Sequence, residues 1–424
     1  MDRPYPSVAP GRALAPDLAR GLMLLMIALA NIPLFLYGAM GEAVTGPRPP
    51  APAGSSDGIL AILALIFVDG RVYPLFVFLF GYGMVQFGAA RAASAPAGVA
   101  TDAWIDRMLL RRHLWLIAFG AVHAALLFAG DILGAYGLSG LVFGWLFFRR
   151  RTATLQVWAV AAATAGLLLM LAGATISIAF SQWVDSAVTG ESATEAAGGL
   201  RIWFDLVAMN AETNYLLTVA TRLVLWMIAT VFGPLMVFLP MVLAWLAGRR
   251  RMLEDPAAHQ RMVTWVAVLG LGIGWAGGAL SAAAYAGALS AGVSAAAGWI
   301  SAGTGICGGI GYAAAFTLLA QWVQRRHLAG RDAGGYGPVV TALAATGKRS
   351  LSSYLTQSVV FAPVLCGWGL GLGATMSATT GTGFAIATWL LTVLLSSLAE
   401  RTGRRGPAEA VLRRLTYGRR VTGA

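Results

Sequence analysis

"LVLWMIATVFGPLMVFLPMVLAWLAGRRR", residues 223–251, carries no charge until Arg249, where three arginines follow in a row. A helix of this length covers the ~30 Å hydrocarbon core of a bilayer, and the arginines mark where it leaves. Runs of similar character recur at about 18–40, 71–90, 109–129, 131–148, 153–180, 262–286, 298–322, 350–369 and 381–399. The expected fold is an all-α polytopic membrane protein with about ten transmembrane helices. The run 59–68 is too brief to span and reads as an interfacial or re-entrant helix.

Composition agrees. The 424 residues are 58% hydrophobic and 11% charged, with a mean hydropathy of +0.71. Soluble domains carry about 25% charged residues, so this chain cannot cover its surface with charge. The net charge of +12 does not point to nucleic acid, because the basic residues sit between apolar runs. All but four of them, Arg48, Arg71, Arg201 and Arg222, fall in alternate connecting segments or at the termini. That distribution places both termini in the cytoplasm, with the lipid bilayer as first partner. Lysine is almost absent (only Lys348) while alanine and glycine abound, a composition that looks like a GC-rich bacterial genome and so the cell (inner) membrane. Acids collect on the other side: Glu42, Asp57, Asp69, Asp131, Asp185, Glu191, Glu195, Asp205 and Glu212.

The expected organisation is one transmembrane domain over residues 1–400, with outer loops near 41–70 and 181–222. A basic cytoplasmic tail, 401–424, follows with a short amphipathic helix at the inner leaflet. The loop 181–222 holds a surface helix, or a lid over a site. Glycine clusters "GLGIGWAGG" and "GTGICGGIG" permit close helix packing within spans. Cys307 and Cys366 lie in apolar segments without CxxC spacing and imply no metal site.

Few residues inside the spans can carry chemistry. In "PDLARGLMLLMIALAN", residues 16–31, Asp17, Arg20 and Asn31 share one helical stripe at ~100° per residue, with Asn31 ~16 Å deeper than Arg20. They are helix-end anchors or the edge of a buried polar site. Of four histidines, His113, His259 and His327 sit in basic segments and read as solvated, whereas His123 falls inside a span. It is satisfied by a neighbouring helix or serves as a general base. Asp131 follows eight residues later, ~12 Å along a continuous helix, so direct contact is not expected, although both can line one outward cavity. Asp69 and Arg71 are expected to pair, or Arg71 holds an anionic group. Tyr354 and Gln357 can line a cavity or bond across helices.

Five stretches, "DLARG" with Asn31, "YPLFVFLFGYG", "GDILGAYGLSG", "GKRSLSSYLTQS" and "RGPAEAVLRRLTYG", resemble in that order the YeiB family of bacterial multi-pass proteins, domain of unknown function 418. The resemblance implies distant kinship with transmembrane acyltransferases, including heparan-α-glucosaminide N-acetyltransferase, which pass an acyl group from cytoplasmic acyl-CoA to an acceptor across the membrane. It implies an O- or N-acyltransferase acting on an extracytoplasmic glycan or lipid. His123 and Asp131 would be catalytic, Arg20 would meet the acyl-CoA, and Asp17, Asn31, Asp69, Arg71, Tyr354 and Gln357 would bind substrate. The heparan enzyme keeps its catalytic histidine in the outer loop after the first span, and residues 32–73 here contain none. His123 takes that role, an acid such as Asp57 or Asp69 does, or no acyl group is transferred. The alternative is a permease or exporter that uses the same polar stripe as a path. The topology is checked with reporter fusions: one after Gly190 should read outside and one after Arg251 inside.

Overall fold

The computed structural model describes residues 13–40, 48–95, 100–187, 202–328 and 336–417. Every regular element among them is helical. Helix α1 spans Leu14–Asn31 and continues as a 3-10 turn, Ile32–Phe35. Then come α2 (Ser56–Phe67), α3 (Val72–Ala92), α4 (Thr101–Leu126) and α5 (Leu133–Phe147). Helices α6 (Thr152–Ala187), α7 (Ile202–Ala211), α8 (Tyr215–Arg249) and α9 (Gln260–Tyr285) follow. Last are α10 (Ala291–Leu328), α11 (Pro338–Lys348), α12 (Ser350–Leu365), α13 (Ala378–Arg401) and α14 (Pro407–Tyr417).

Each of the ten expected runs falls on a helix. Seven segments, among them Leu14–Phe35, Tyr215–Arg249 and Ala378–Arg401, are long and apolar enough to cross a membrane. The runs on α4, α5 and α12 do not meet that standard. Helix α4 has Asp102, Asp106, Arg107, Arg111 and Arg112 in its first half, and α5 and α12 have 15 and 16 residues. Helix α2 is the short apolar helix expected at 59–68; it ends in a turn at Gly70 (φ 76°) and packs on α9 and α13.

Helix α1 is the hub, touching α3, α10, α11, α12 and α13. Two thirds (67%) of its apolar window is buried, against 17% for α6, whose Val157, Val160, Leu168 and Ile176 face outward. Buried apolar faces meet protein and exposed ones meet lipid, so the outer helices carry the bilayer contact.

Glycines decide how near the helices come. A Cβ on Gly270 would stand 2.9 Å from the Gly311 Cα, and one on Gly274 2.5 Å from the Gly308 Cα. The clusters of α9 and α10 therefore interlock backbone against backbone. Gly21 of "DLARG" meets the Leu343 backbone of α11, and Gly347 of "GKRS" meets the Asp17 backbone. On α5, Gly134, Gly137 and Gly140 recur every three residues, and the last two face His113 and Ile117 of α4. His113, expected to be solvated, is instead only 1% exposed in this tight hairpin. Overpacking a close-packed contact costs about 1–3 kcal/mol. Gly308→Val should lower unfolding stability in detergent by about that much, while Gly298→Ala, whose added Cβ meets nothing within 4 Å, should leave the melting curve unmoved.

Candidate functional site

Helix α4 stops at Leu126, where Leu127 N and Phe128 N both donate to the His123 carbonyl. The chain then reverses, and this reversal corrects the expectation that Asp131 stands away from His123. The His123 Nδ1 lies 2.8 Å from Asp131 Oδ1, with both side chains essentially sealed from solvent. The other carboxylate oxygen accepts from Gly134 N at 3.0 Å and from Trp226 Nε1 of α8 at 3.1 Å. Nδ1 donates in this pair wherever the carboxylate is ionised, which leaves Nε2 as the ring nitrogen facing away from Asp131. The Nε2 atom is buried with no hydrogen-bond partner.

Tyr354 of α12 meets the His123 ring edge-on at 5.2 Å, with its side chain buried. On its other side Tyr354 lines a cavity of about 580 Å³. This cavity opens toward the arginine-rich end of the bundle, where Asp17, Arg20, Arg112, Arg251 and Lys348 line it. Deeper, its wall turns apolar through Met23, Phe76, Leu79, Leu116 and Leu133. His123 and Asp131 lie behind the Tyr354 wall rather than on the cavity surface.

The other expected residues separate into two groups. Asp17, Arg20 and Tyr354 reach the cavity, with Arg20 at 3.5 Å from Asp17 and 3.4 Å from the Leu79 carbonyl. Asn31, at the far end of α1, is half-buried beside the 3-10 turn and is not on this cavity. Gln357 donates from Nε2 to the Leu24 carbonyl at 3.0 Å and ties α12 to α1. Asp69 and Arg71 do not pair as expected. Arg48 grips the Asp69 carboxylate through Nε at 2.8 Å and Nη2 at 2.7 Å. Arg71, fully buried, instead donates to the carbonyls of Leu65, Asp69 and Gly274 and to Ser301 Oγ. Asp57 accepts from the backbone and hydroxyl of Thr379 at the start of α13. Asp57 and Asp69 are thus both engaged, whereas Nε2 of His123, like that of His113, is buried without a partner.

Arg222, another of the four outlying arginines, donates to the Leu126 carbonyl at 3.2 Å and stacks its guanidinium over Trp368 at 5.4 Å. It fastens the carbonyl end of α4, three residues beyond His123. Arg201, with the rest of 188–201, lies outside the described residues. Of the surface helix or lid expected in the loop 181–222, α7 is described; it packs Val207 into a cluster with Ile32, Phe35 and Phe361, while Asn210 Nδ2 donates to the Leu34 carbonyl at 2.9 Å. The tail helix α14 is held by protein contacts. Glu409 accepts from Leu351 N (2.8 Å) and Ser352 N (3.1 Å) at the start of α12, and Arg111 donates to the Leu415 carbonyl at 3.0 Å. Glu409 and Leu412 complete the cavity wall.

All five motif stretches therefore contribute to one region of the molecule. Sequence reading missed Trp226, one of fourteen tryptophans with nothing to single it out. It also missed Arg112 and Arg251, whose charge was already explained by the positive-inside rule.

A helical bundle with lipid-facing apolar helices, a buried His–Asp pair and a cavity at one end defines an all-α polytopic membrane protein. Residues 247–419 match the family described as "Protein of unknown function (DUF418)", the family that the motif stretches resemble. The chain is 26% identical over 419 residues to "Uncharacterized protein YxaH" of Bacillus subtilis (strain 168), covering 95% of this chain and 93% of that protein. It is 33% identical over 126 residues to an "Uncharacterized 39.9 kDa protein in amylase 3'region" of Bacillus acidopullulyticus, about 30% of either chain. No solved structure matches it.

Removing the Asp131 carboxylate would leave Trp226 Nε1, Gly134 N and His123 Nδ1 buried without acceptors. Asp131→Ala should cost about 3 kcal/mol of stability, read from denaturant unfolding in lipid micelles, and Trp226→Phe about 1 kcal/mol.

Proposed function

We propose that this chain is a bacterial cell-membrane acyltransferase-like protein that passes an acyl group from cytoplasmic acyl-CoA to a glycan or lipid acceptor on the outer side. One observation carries the reading: a buried imidazole with Nδ1 held by a carboxylate and Nε2 open, behind the wall of a cavity that is basic at its mouth and apolar in its depth. Arg20 meets the donor at the mouth, and the acyl chain follows the apolar wall toward Tyr354.

The acceptor hydroxyl or amine gives its proton to His123 Nε2 as its oxygen or nitrogen attacks the thioester carbonyl. The C–S bond then breaks, and the CoA thiolate takes the proton back from the imidazolium. Asp131 orients the ring and stabilises its charged form, the part a carboxylate plays in other His-based acyl transfer. Tyr354 stands between the donor's cavity and the imidazole, so its ring must move aside for transfer. Gln357, bonded to the Leu24 carbonyl, and Asn31, at the far end of α1, are substrate-binding candidates of lower reach.

The test is labelled acetyl-CoA supplied to purified protein in lipid, with envelope glycan and lipid extracts as acceptors. Label transfer with CoA release is expected, and His123→Ala should lower the rate by about 10²–10⁴-fold. Unchanged transfer in His123→Ala removes the imidazole from the mechanism. Absent transfer, with flux of a small molecule into proteoliposomes, replaces the enzyme with a permease.

A further inference from the structure

The cavity's mouth carries more guanidinium charge than its own acids use. Glu254 accepts from the Tyr82 hydroxyl and from Gln86 Nε2 at 2.8 Å. Glu409 is taken by the first turn of α12, and Asp17 lies against Arg20. Lys348 reaches out of the mouth to Glu400 at 2.6 Å. Arg112 and Arg251 are left with no carboxylate partner among the described residues, and both line the cavity.

Arg112 is built in rather than loose. Its guanidinium sits over the rings of Phe80 at 5.7 Å and Phe87 at 5.6 Å, within cation–π range of both. Arg20 is near enough for the two positive charges to repel each other. Arg251 occupies the left-handed backbone region (φ 54°), which a non-glycine residue rarely adopts. A turn holds it there: its N–H donates to the Gly248 carbonyl at 3.0 Å, and its own carbonyl accepts from Asp255 N at 2.8 Å. Like charges gathered above an apolar pit are unfavourable until an anion joins them. Guanidinium forks match phosphate oxygens in geometry as well as charge.

We infer that Arg112 and Arg251, with Arg20 beside them, form a phosphate or diphosphate subsite, and that the ligand is an amphiphile whose apolar part enters the cavity. The inference rests on the cavity being the donor site proposed above, and it supplies the chemical class that the site selects. Two sources offer this chemistry: a phosphorylated thioester carrier such as acyl-CoA arriving from water, and a phosphate-bearing lipid arriving from the bilayer.

The test titrates the full chain in nanodiscs with CoA, dodecyl phosphate and, as a neutral control of equal chain length, dodecyl maltoside. At least one of the two phosphates should bind. Its dissociation constant should rise at least tenfold in Arg112→Gln and in Arg251→Gln, while the exposed Arg261→Gln stays at wild type and all three variants keep the parental melting temperature. Phosphate binding by a folded Arg112→Gln equal to the parent overturns the subsite, as does maltoside binding as well as the phosphate or no binding of either phosphate. If the single variants fail to fold, Arg112→Lys is used. It keeps the charge but loses the fork, and a several-fold loss is expected, whereas no loss overturns the subsite. CoA binding with acyl transfer supports both readings. Dodecyl phosphate binding without CoA binding or transfer supports the subsite with a lipid source and ends the acyltransferase reading.

Discussion

Helices surrounded by lipid gain little from hiding apolar faces against one another, because the solvent is as apolar as the faces. Close van der Waals contact and buried hydrogen bonds must hold such a bundle together. In this chain glycine supplies the contact. Gly270 and Gly274 meet Gly311 and Gly308, Gly21 and Gly347 bring α1 against α11, and the glycine stripe of α5 lets α4 close over it. The polar groups brought inside must then be satisfied by protein, since no water reaches them in a hydrocarbon slab. Arg71, whose terminal nitrogens sit among carbonyls, and Gln357, whose Nε2 reaches the Leu24 carbonyl, meet that demand in part, while Arg71 Nε and Gln357 Oε1 have no partner.

The same constraint produces the site. With α4 and α5 in glycine contact, the turn between them returns Asp131 to His123, and Trp226 of α8 closes the third side. The carboxylate thereby ties three helices at one point and fixes the imidazole's tautomer. What is fixed on one side leaves Nε2 open on the other. A buried polar atom without a partner is a standing cost in free energy, one that His113 Nε2 and several other buried side chains of this bundle also carry.

Much of the architecture was legible in the chain. Apolar runs separated by arginines locate the helices because hydrocarbon thickness sets their length, and glycine clusters announce close packing because no other residue lets backbones meet. Residues that act locally could be placed: Asp17 and Arg20 share a face of α1 and do reach one cavity. Contacts made across a chain reversal could not. The eight residues from His123 to Asp131 look like 12 Å of helix until the helix ends after Leu126. Asp69 could not be assigned to Arg48 because a loop, not a helical repeat, brings them together. Arg112 looked like one more cytoplasmic charge, since nothing in "RMLLRRHLWL" indicates that Phe80 and Phe87 lie beneath it.

By itself the sequence determined that this protein lives in a membrane, which segments are helices and which small residues let them touch. These follow from composition and short-range periodicity, which the hydrocarbon reads directly. Only the tertiary structure decided which polar groups satisfy one another and which are left over: His123 Nε2 behind Tyr354, and two arginines without acids at the mouth of a cavity. Those assignments depend on distances between residues far apart in the chain, and helix packing alone sets them.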